Sequence, residues 1–214
     1  ILERPRPASA LMGGLASAAM VTIERQREVW HPSSIKGERV ALRHHQYDDL
    51  GPVRRWYRDP ELARLTRYSL RPMSDEDIDR FFHTRLMSPE QVGYAITVRG
   101  SDRLIGSTTF SNLDADNSST LFHISIGEPD AWGYGYGTEA TELMLWLAFE
   151  RIGLHRVGLS VFAFNERAIR SYEKAGFTVE GRHREAIVRD GDRYDELTMG
   201  ILATEWRARH SDEG

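Results

Sequence analysis

The sequence predicts a mixed α/β domain of about seven strands and four helices, and three observations carry that expectation. Apolar residues at helical spacing, Ala140, Leu143, Met144, Leu147 and Ala148, follow the β-rich run Leu121 to Ile126 across a glycine-rich loop. A second strand and helix come next, Arg156 to Phe164 and Asn165 to Phe177. Asp190 and Gly191 then separate two further β-rich runs, Thr178 to Val188 and Arg193 to Leu202, as the turn of a hairpin.

The remaining elements are read in order. Arg39 to Arg43 alternates as a strand, and Tyr47 to Tyr57 and Ser74 to Leu86 have the periodicity of helices. Tyr94 to Val98 and Leu104 to Asn112 are strands about a turn at Gly100. Gly153 stands where the Ala140 helix should stop. In the Asn165 helix, Asn165 is a good cap, Ala168, Ile169 and Tyr172 share a face, and Gly176 ends the helix with Phe177 folding back. The order is strand, two helices, three strands, helix, strand, helix, two strands, with no internal repeat.

With 214 residues, 40% hydrophobic and 28% charged, the chain can bury one enzyme-sized core. We place that domain at residues 36–208, with an N-terminal extension at 1–35 and a short tail at 209–214. The stretch Ala8 to Val21 follows Arg4 and Arg6 and superficially resembles a secretory signal, but it is too weakly apolar for one. A docking helix, an unstructured arm and a start upstream of Met20 all remain open for it. No segment reaches the roughly 20 apolar residues of a membrane helix, so no membrane partner is expected. The absence of cysteine from this sequence excludes disulfides, thiolate metal sites and an acyl-cysteine intermediate. No metal is expected. A net charge of −4 gives no nucleic-acid footprint, and the expected compartment is cytoplasmic.

The glycine loop carries the chemistry. Residues 132–142 read WGYGYGTEATE, so Gly133, Gly135 and Gly137 alternate with Tyr134 and Tyr136 before the helix begins. Such a loop can curl its backbone N–H groups inward, and the helix dipole adds positive potential, which suits a pyrophosphate. A P-loop needs Lys and then Ser or Thr after its last glycine, whereas Gly137 is followed by Thr138 and Glu139. Gly135, Gly137 and Ala140 fit the G-x-G-x-x-A dinucleotide form, but the next strand, Arg156 to Phe164, carries no acidic residue for a ribose. Asn165 and Tyr172 lie seven positions apart, about two helical turns, and so face the same way. Taken alone, that pair also fits a capping Asn and a half-buried core Tyr.

Together the two segments resemble the GNAT superfamily of N-acetyltransferases. Its acyl-CoA loop has the form [Q/R]-x-x-G-x-[G/A], and its next helix carries N-x-x-[A/S]-x-x-x-Y-x-x-x-G-F; both match in order and spacing between Trp132 and Phe177. The likeness runs from about Lys36 to about Trp206 and is nearest the ribosomal-protein and spermidine N-acetyltransferase branch, whose loop often reads WGxGYxTEA. Trp132 stands where the wider family has Gln or Arg, which leaves the loop backbone as the main phosphate ligand. The resemblance implies a splayed, mostly antiparallel sheet flanked by helices, acetyl-CoA as cosubstrate, and direct acetyl transfer to a primary amine on a small molecule or a protein N-terminus. A catalytically silent acyl-CoA-binding module is the alternative, and a homodimer is allowed.

The resemblance also implies site residues. Cofactor contacts fall on Ile126, Gly127 and Glu128 along the pantetheine arm, on Gly133, Tyr134, Gly135, Tyr136, Gly137 and Thr138 at the pyrophosphate, and on Asn165. Tyr172 is placed beside the CoA sulfur as general acid, a role its phenol, with an ordinary pKa near 10, can fill. The branch often has Glu on the fourth strand where this sequence has Leu121, so the base falls to His123 or Glu128, or to water chains without a single base. A lone His on a strand is also commonly structural. His44, His45, Arg64 to Tyr68 and Tyr194 to Glu196 lie in regions that line the acceptor cleft of the family.

Overall fold

The computed structural model describes residues 32–88 and 91–211, so the N-terminal extension lies almost wholly outside the described residues. Eight strands form one sheet: β1 Ser34–Lys36, β2 Val40–Arg43, β3 Gly93–Val98, β4 Arg103–Asp114, β5 Ser119–Ile126, β6 Arg156–Phe162, β7 Thr178–Arg189 and β8 Asp192–Leu202. Their spatial order is β1-β2-β3-β4-β5-β6-β8-β7. All neighbours run antiparallel except β5 and β6.

That exception shapes the molecule. The parallel pair is in register only at Ser119 with Arg156, Thr120 with Val157 and Leu121 with Gly158. Beyond Leu121 the strands part, while β6 continues against β8 as far as Phe162 opposite Glu196. The last five residues of β5 therefore have a partner on one side only, β4.

Helices cover both faces. On one side α1 (Leu50–Arg58), α2 (Pro60–Thr66) and α3 (Asp75–Phe81) gather Val53, Trp56, Leu62, Ile78, Phe82 and Leu86 into one apolar cluster. On the other, α4 (Tyr136–Trp146), α5 (Glu166–Lys174) and α6 (Ala203–Ser211) pack on the main core, which includes Phe122, Met144, Leu159, Tyr172 and Trp206. Leu104 and Ile105 are adjacent on β4 and point to opposite faces, one toward each cluster, as strand alternation requires.

The mixed α/β class is as the sequence predicts, but the described residues hold eight strands rather than about seven and six α-helices rather than four. β1 is three residues long, too short to show a periodicity. α2 spans seven residues and is announced only by its start, where Asp59 accepts from the Leu62 N–H at 2.9 Å and Pro60 opens the helix. α6 extends to Ser211, across the domain boundary placed at 208. The predicted 74–86 helix has its cap at Ser74, and after Phe81 it widens into a π-turn over Phe82–Leu86.

Candidate active site

The gap between β5 and β6 is floored by backbone. The N–H groups of Gly127 and Glu128 both donate to the Ile105 carbonyl, at 2.8 and 3.3 Å. In an antiparallel ladder neighbouring residues turn their amides to opposite sides, so Ile126 directs its N–H away from β4, into the space that β6 has left. The Ile126 carbonyl accepts from the Trp132 indole at 2.8 Å. Of the three positions expected to hold an extended arm, Ile126 thus has its N–H directed at the gap, while the Gly127 and Glu128 amides are tied to β4. Gly127 is required for another reason: a Cβ there would come within 2.1 Å of the Trp56 ring.

At the end of this gap the glycine loop leads into α4. Gly133 and Gly135 adopt left-handed φ angles of 85° and 79°, and Gly135 is the N-cap. A glycine cap brings no side chain to the helix, and the first intrahelical bond runs from Glu139 N–H to the Gly135 carbonyl at 3.1 Å. The Tyr136, Gly137 and Thr138 amides therefore lie in the turn where helix donors seek an outside acceptor. Tyr134 and Tyr136 stack with ring centroids 6.0 Å apart beside them.

Two arginines that sequence reasoning missed complete the loop. Arg39, at the turn into β2, donates from Nη1 to the Tyr134 carbonyl at 2.9 Å and from Nε to Glu139 at 2.9 Å. The Glu139 carboxylate also takes the Arg39 and Val40 N–H groups, and these bonds outweigh burial and hold its pKa below the usual range. The one acid in the first turn of α4 is thereby neutralised. Arg167 on α5 lies 3.7 Å above the Trp132 ring, so a guanidinium reaches the position where the family loop carries Gln or Arg. Neither partnership has a sequence signal, because each joins residues far apart in the chain.

Tyr172 and Asn165 both line the cleft, which has a volume of about 1050 Å³. The Tyr172 ring packs edge-on against Phe122 and Phe177, and burial pushes its phenol up to about 12. Asn165 caps α5 by accepting from Ala168 N–H at 3.3 Å, and its Nδ2 donates to the Leu65 carbonyl at 3.3 Å, so it also ties α5 to the end of α2. Thr138 and Ser171 hydroxyls meet at 2.8 Å and hold α4 beside α5.

His123 faces the cleft from β5 with Nε2 2.7 Å from the Ser111 hydroxyl; its surface is exposed, but the surrounding cleft walls disfavour the charged ring and lower its pKa, so the ring is neutral at pH 7. Glu128 is engaged elsewhere. Its carboxylate accepts from Trp56 Nε1 at 2.8 Å and Arg55 at 3.0 Å, with Arg103 at 3.7 Å, a clamp between α1 and the end of β5. Of the acceptor regions, Tyr68 enters the cleft and donates to the buried Glu196 carboxylate, which also lies 3.2 Å from His183. Burial and that carboxylate push the Tyr68 phenol up to about 12. His44 lies tilted against the Tyr94 ring, centroids 5.3 Å apart, and His45 is buried beneath the cleft floor. Among the described residues no group of three His, Cys, Asp or Glu side chains could hold a metal ion, and no helix is long and apolar enough to cross a membrane.

Comparison with known proteins agrees with this geometry. The family model for the acetyltransferase (GNAT) domain matches residues 39–178. A prophage-derived uncharacterized N-acetyltransferase of Bacillus subtilis, YokL, is 28% identical over 115 residues, 54% of this chain and 64% of that protein. The spermidine N(1)-acetyltransferase of Escherichia coli K12 is 27% identical over 179 residues, 83% of this chain and 89% of its own. The crystal structure of a spermidine N-acetyltransferase from Vibrio cholerae, in complex with CoA and spermine, superposes with a TM-score of 0.71 at 20% identity, covering 80% of this chain and 99% of the other. A strand pair that opens after three residues, a glycine-capped helix at its mouth and a tyrosine on the following helix are thus accompanied by a family match over most of the folded domain, and the chain belongs to the GNAT acetyltransferases.

Proposed function

We propose that this protein transfers the acetyl group of acetyl-CoA directly to a primary amine, with a small-molecule amine as acceptor. The observation that carries the reading is the set of open donors, the N–H groups of Ile126 and of the first turn of α4, placed in line along one gap. The loop of Gly133 to Thr138 receives the pyrophosphate, with the Arg167 guanidinium beside it. Ile126, with Gly127 and Glu128 fixing the strand, receives the pantetheine arm, and Asn165 holds α5 against it.

Acetyl-CoA supplies a thioester with an electrophilic acyl carbon and a thiolate leaving group. The Ile126 N–H polarises the acyl oxygen. Tyr172 donates its hydroxyl hydrogen toward the departing sulfur. His123 is the side chain on the cleft face that accepts the amine's hydrogen bond and orients it; Glu128, held by Trp56 and Arg55, sets the shape of the site instead. The acceptor is small because the named spermidine acetyltransferase matches along 83% of this chain, and a cationic amine suits a mouth where Tyr68 stands before the buried Glu196 carboxylate.

The test is incubation with acetyl-CoA and a panel of spermidine, an aminoglycoside and a short peptide, with products read by mass spectrometry. One acetyl group on the spermidine or the aminoglycoside is expected. Binding of acetyl-CoA with no acetylated product from any amine would contradict the reading and favour a silent acyl-CoA-binding module.

A further inference from the structure

A second histidine lies under the same cleft floor. Ser107 on β4 lines the cleft directly opposite Ser125 on β5, and its hydroxyl is 3.1 Å from His45 Nε2. The His45 side chain is fully buried, with the Phe82 ring edge-on at 5.8 Å. Its other nitrogen, Nδ1, is 3.2 Å from Asp49 Oδ2, off the axis of a well-aligned hydrogen bond and without another partner. Asp49 is fixed in turn by both Arg43 guanidinium nitrogens at 2.8 Å and by the Gln46 N–H at 2.9 Å. Hydroxyl, imidazole and carboxylate therefore follow one another from the cleft into the protein.

We propose that Ser107, His45 and Asp49 form a proton relay, a carboxylate-backed acceptor for the proton that the amine sheds before it attacks. The inference rests on the acetyl-transfer reading and deepens it by giving that proton a destination. Asp49 remains ionised throughout the neutral range: burial opposes this, but the bonds from Arg43 and Gln46, with the His45 ring beside them, prevail and hold its pKa far below the usual carboxylate range. With Asp49 charged, a His45 ring that carries a single proton holds it on Nδ1, facing the carboxylate, which leaves the Nε2 lone pair toward Ser107. His123, bonded to Ser111, has no such carboxylate behind it among the described residues.

The step balances. The bound ammonium gives one proton to the Ser107 oxygen, directly or through a water, as the Ser107 hydroxyl hydrogen moves to His45 Nε2. The N–H electron pair becomes the lone pair of the attacking amine, and the imidazolium formed sits against Asp49. The second proton leaves the nitrogen after attack and reaches the sulfur through Tyr172. His45 later releases its proton to solvent, so each turnover yields amide, thiol and one proton.

A capping role alone would not need this arrangement. Asp49 already closes the turn through Gln46 and pairs with Arg43, and neither bond uses His45. The groups facing His45 are Asp49 with Arg43 behind it, His44 alongside, Ser107 from β4 and the ring of Phe82.

Two measurements test the relay. Nitrogen-15 NMR of the imidazoles in the unmutated protein should show His45 protonated at Nδ1 and bare at Nε2. The opposite tautomer would overturn the relay and leave acetyl transfer untouched. With the amine that the panel shows to be acetylated, Ser107→Ala should lower kcat on the order of 10²-fold at pH 7, the usual scale for losing an acid–base group, with the loss shrinking as pH rises and free amine accumulates. Acetyl-CoA KM should stay within about twofold. His45→Gln should show the same loss with the same pH dependence, and an unchanged profile in it would overturn the relay; should it fail to fold, Ser107→Ala alone decides, because it removes only an oxygen at the cleft surface. Superimposable pH profiles for Ser107→Ala and the unmutated protein would overturn the relay. Acetylation of no amine by the unmutated protein would overturn the acetyl-transfer reading and the relay together.

Discussion

Tyr172 joins two properties that oppose each other in an acid. Its phenol is held near 12 by burial, so it keeps its proton at every physiological pH, yet it is a weaker acid than an ordinary thiol by about 3.5 units. Complete transfer to sulfur is therefore uphill unless the tyrosine regains a proton from the amine nitrogen in the same event. His123 works in the other direction. Its pKa is lowered by burial below 6.5, so the neutral form present at pH 7 is protonated only as pH falls through that lowered value. The kcat/KM of the unmutated protein should thus show an acid limb below pH 6.5 that is absent in His123→Ala, with acetyl-CoA affinity preserved. An identical limb in the mutant would return His123 to a structural role. Both residues were legible in the sequence by position. Their environments were not, because Phe122, Ser111 and Phe177 meet them only through sheet pairing and helix packing.

At the scale of elements, the glycine loop and α4 were the most legible part of the chain, since alternating glycines before an amphipathic helix are a local signal. What holds the loop was not local. Arg39 reaches it from the turn before β2, across 95 residues to Tyr134 and 100 to Glu139. This contact also decides which glycine offers a clean test. A Cβ at Gly135 would sit 3.2 Å from the Arg39 guanidinium on a left-handed backbone, so an added carboxylate there would pair with Arg39 and strain the turn. At Gly137 a Cβ meets Ile126 at 3.6 Å and the Ser171 hydroxyl at 3.9 Å, both ordinary contacts. Gly137→Asp adds negative charge where the helix tolerates it and the pyrophosphate does not. Calorimetry should show acetyl-CoA affinity down by about 100-fold or more, a loss of near 3 kcal/mol, with little change in Tm. Unchanged affinity in a folded mutant would remove the cradle.

The whole molecule depends on a sheet that opens and on helices that cover both sides of the opening. α2 and the β7–β8 hairpin, unconnected in the sequence pattern, are joined by Arg189, which is 3% exposed and donates to the carbonyls of Arg64, Arg67 and Val188 while lying over Phe162. Arg189→Leu leaves the carbonyls at the end of α2 without their donor. It should destabilise the fold by about 1–3 kcal/mol, the cost of stranding buried polar groups, and raise the amine KM more than the acetyl-CoA KM. Thermal unfolding and steady-state kinetics would read both effects; an unshifted Tm would mean that Arg189 does not carry the joint. The sequence showed the class and the signature elements through periodicity. It did not show α2, α6 or β1, because short elements stabilised by tertiary contacts have little periodicity of their own.

Amine-dependent thiol release by Tyr172→Phe, measured beside acetyl-CoA affinity, tests most directly whether acetyl transfer takes place in this gap. The substitution keeps the ring packed against Phe122 and Phe177 and deletes one hydroxyl. The account predicts a fall in kcat on the order of 10²-fold with Kd for acetyl-CoA and Tm nearly unchanged. A folded Tyr172→Phe protein that releases thiol at the full rate with the same amine would contradict it.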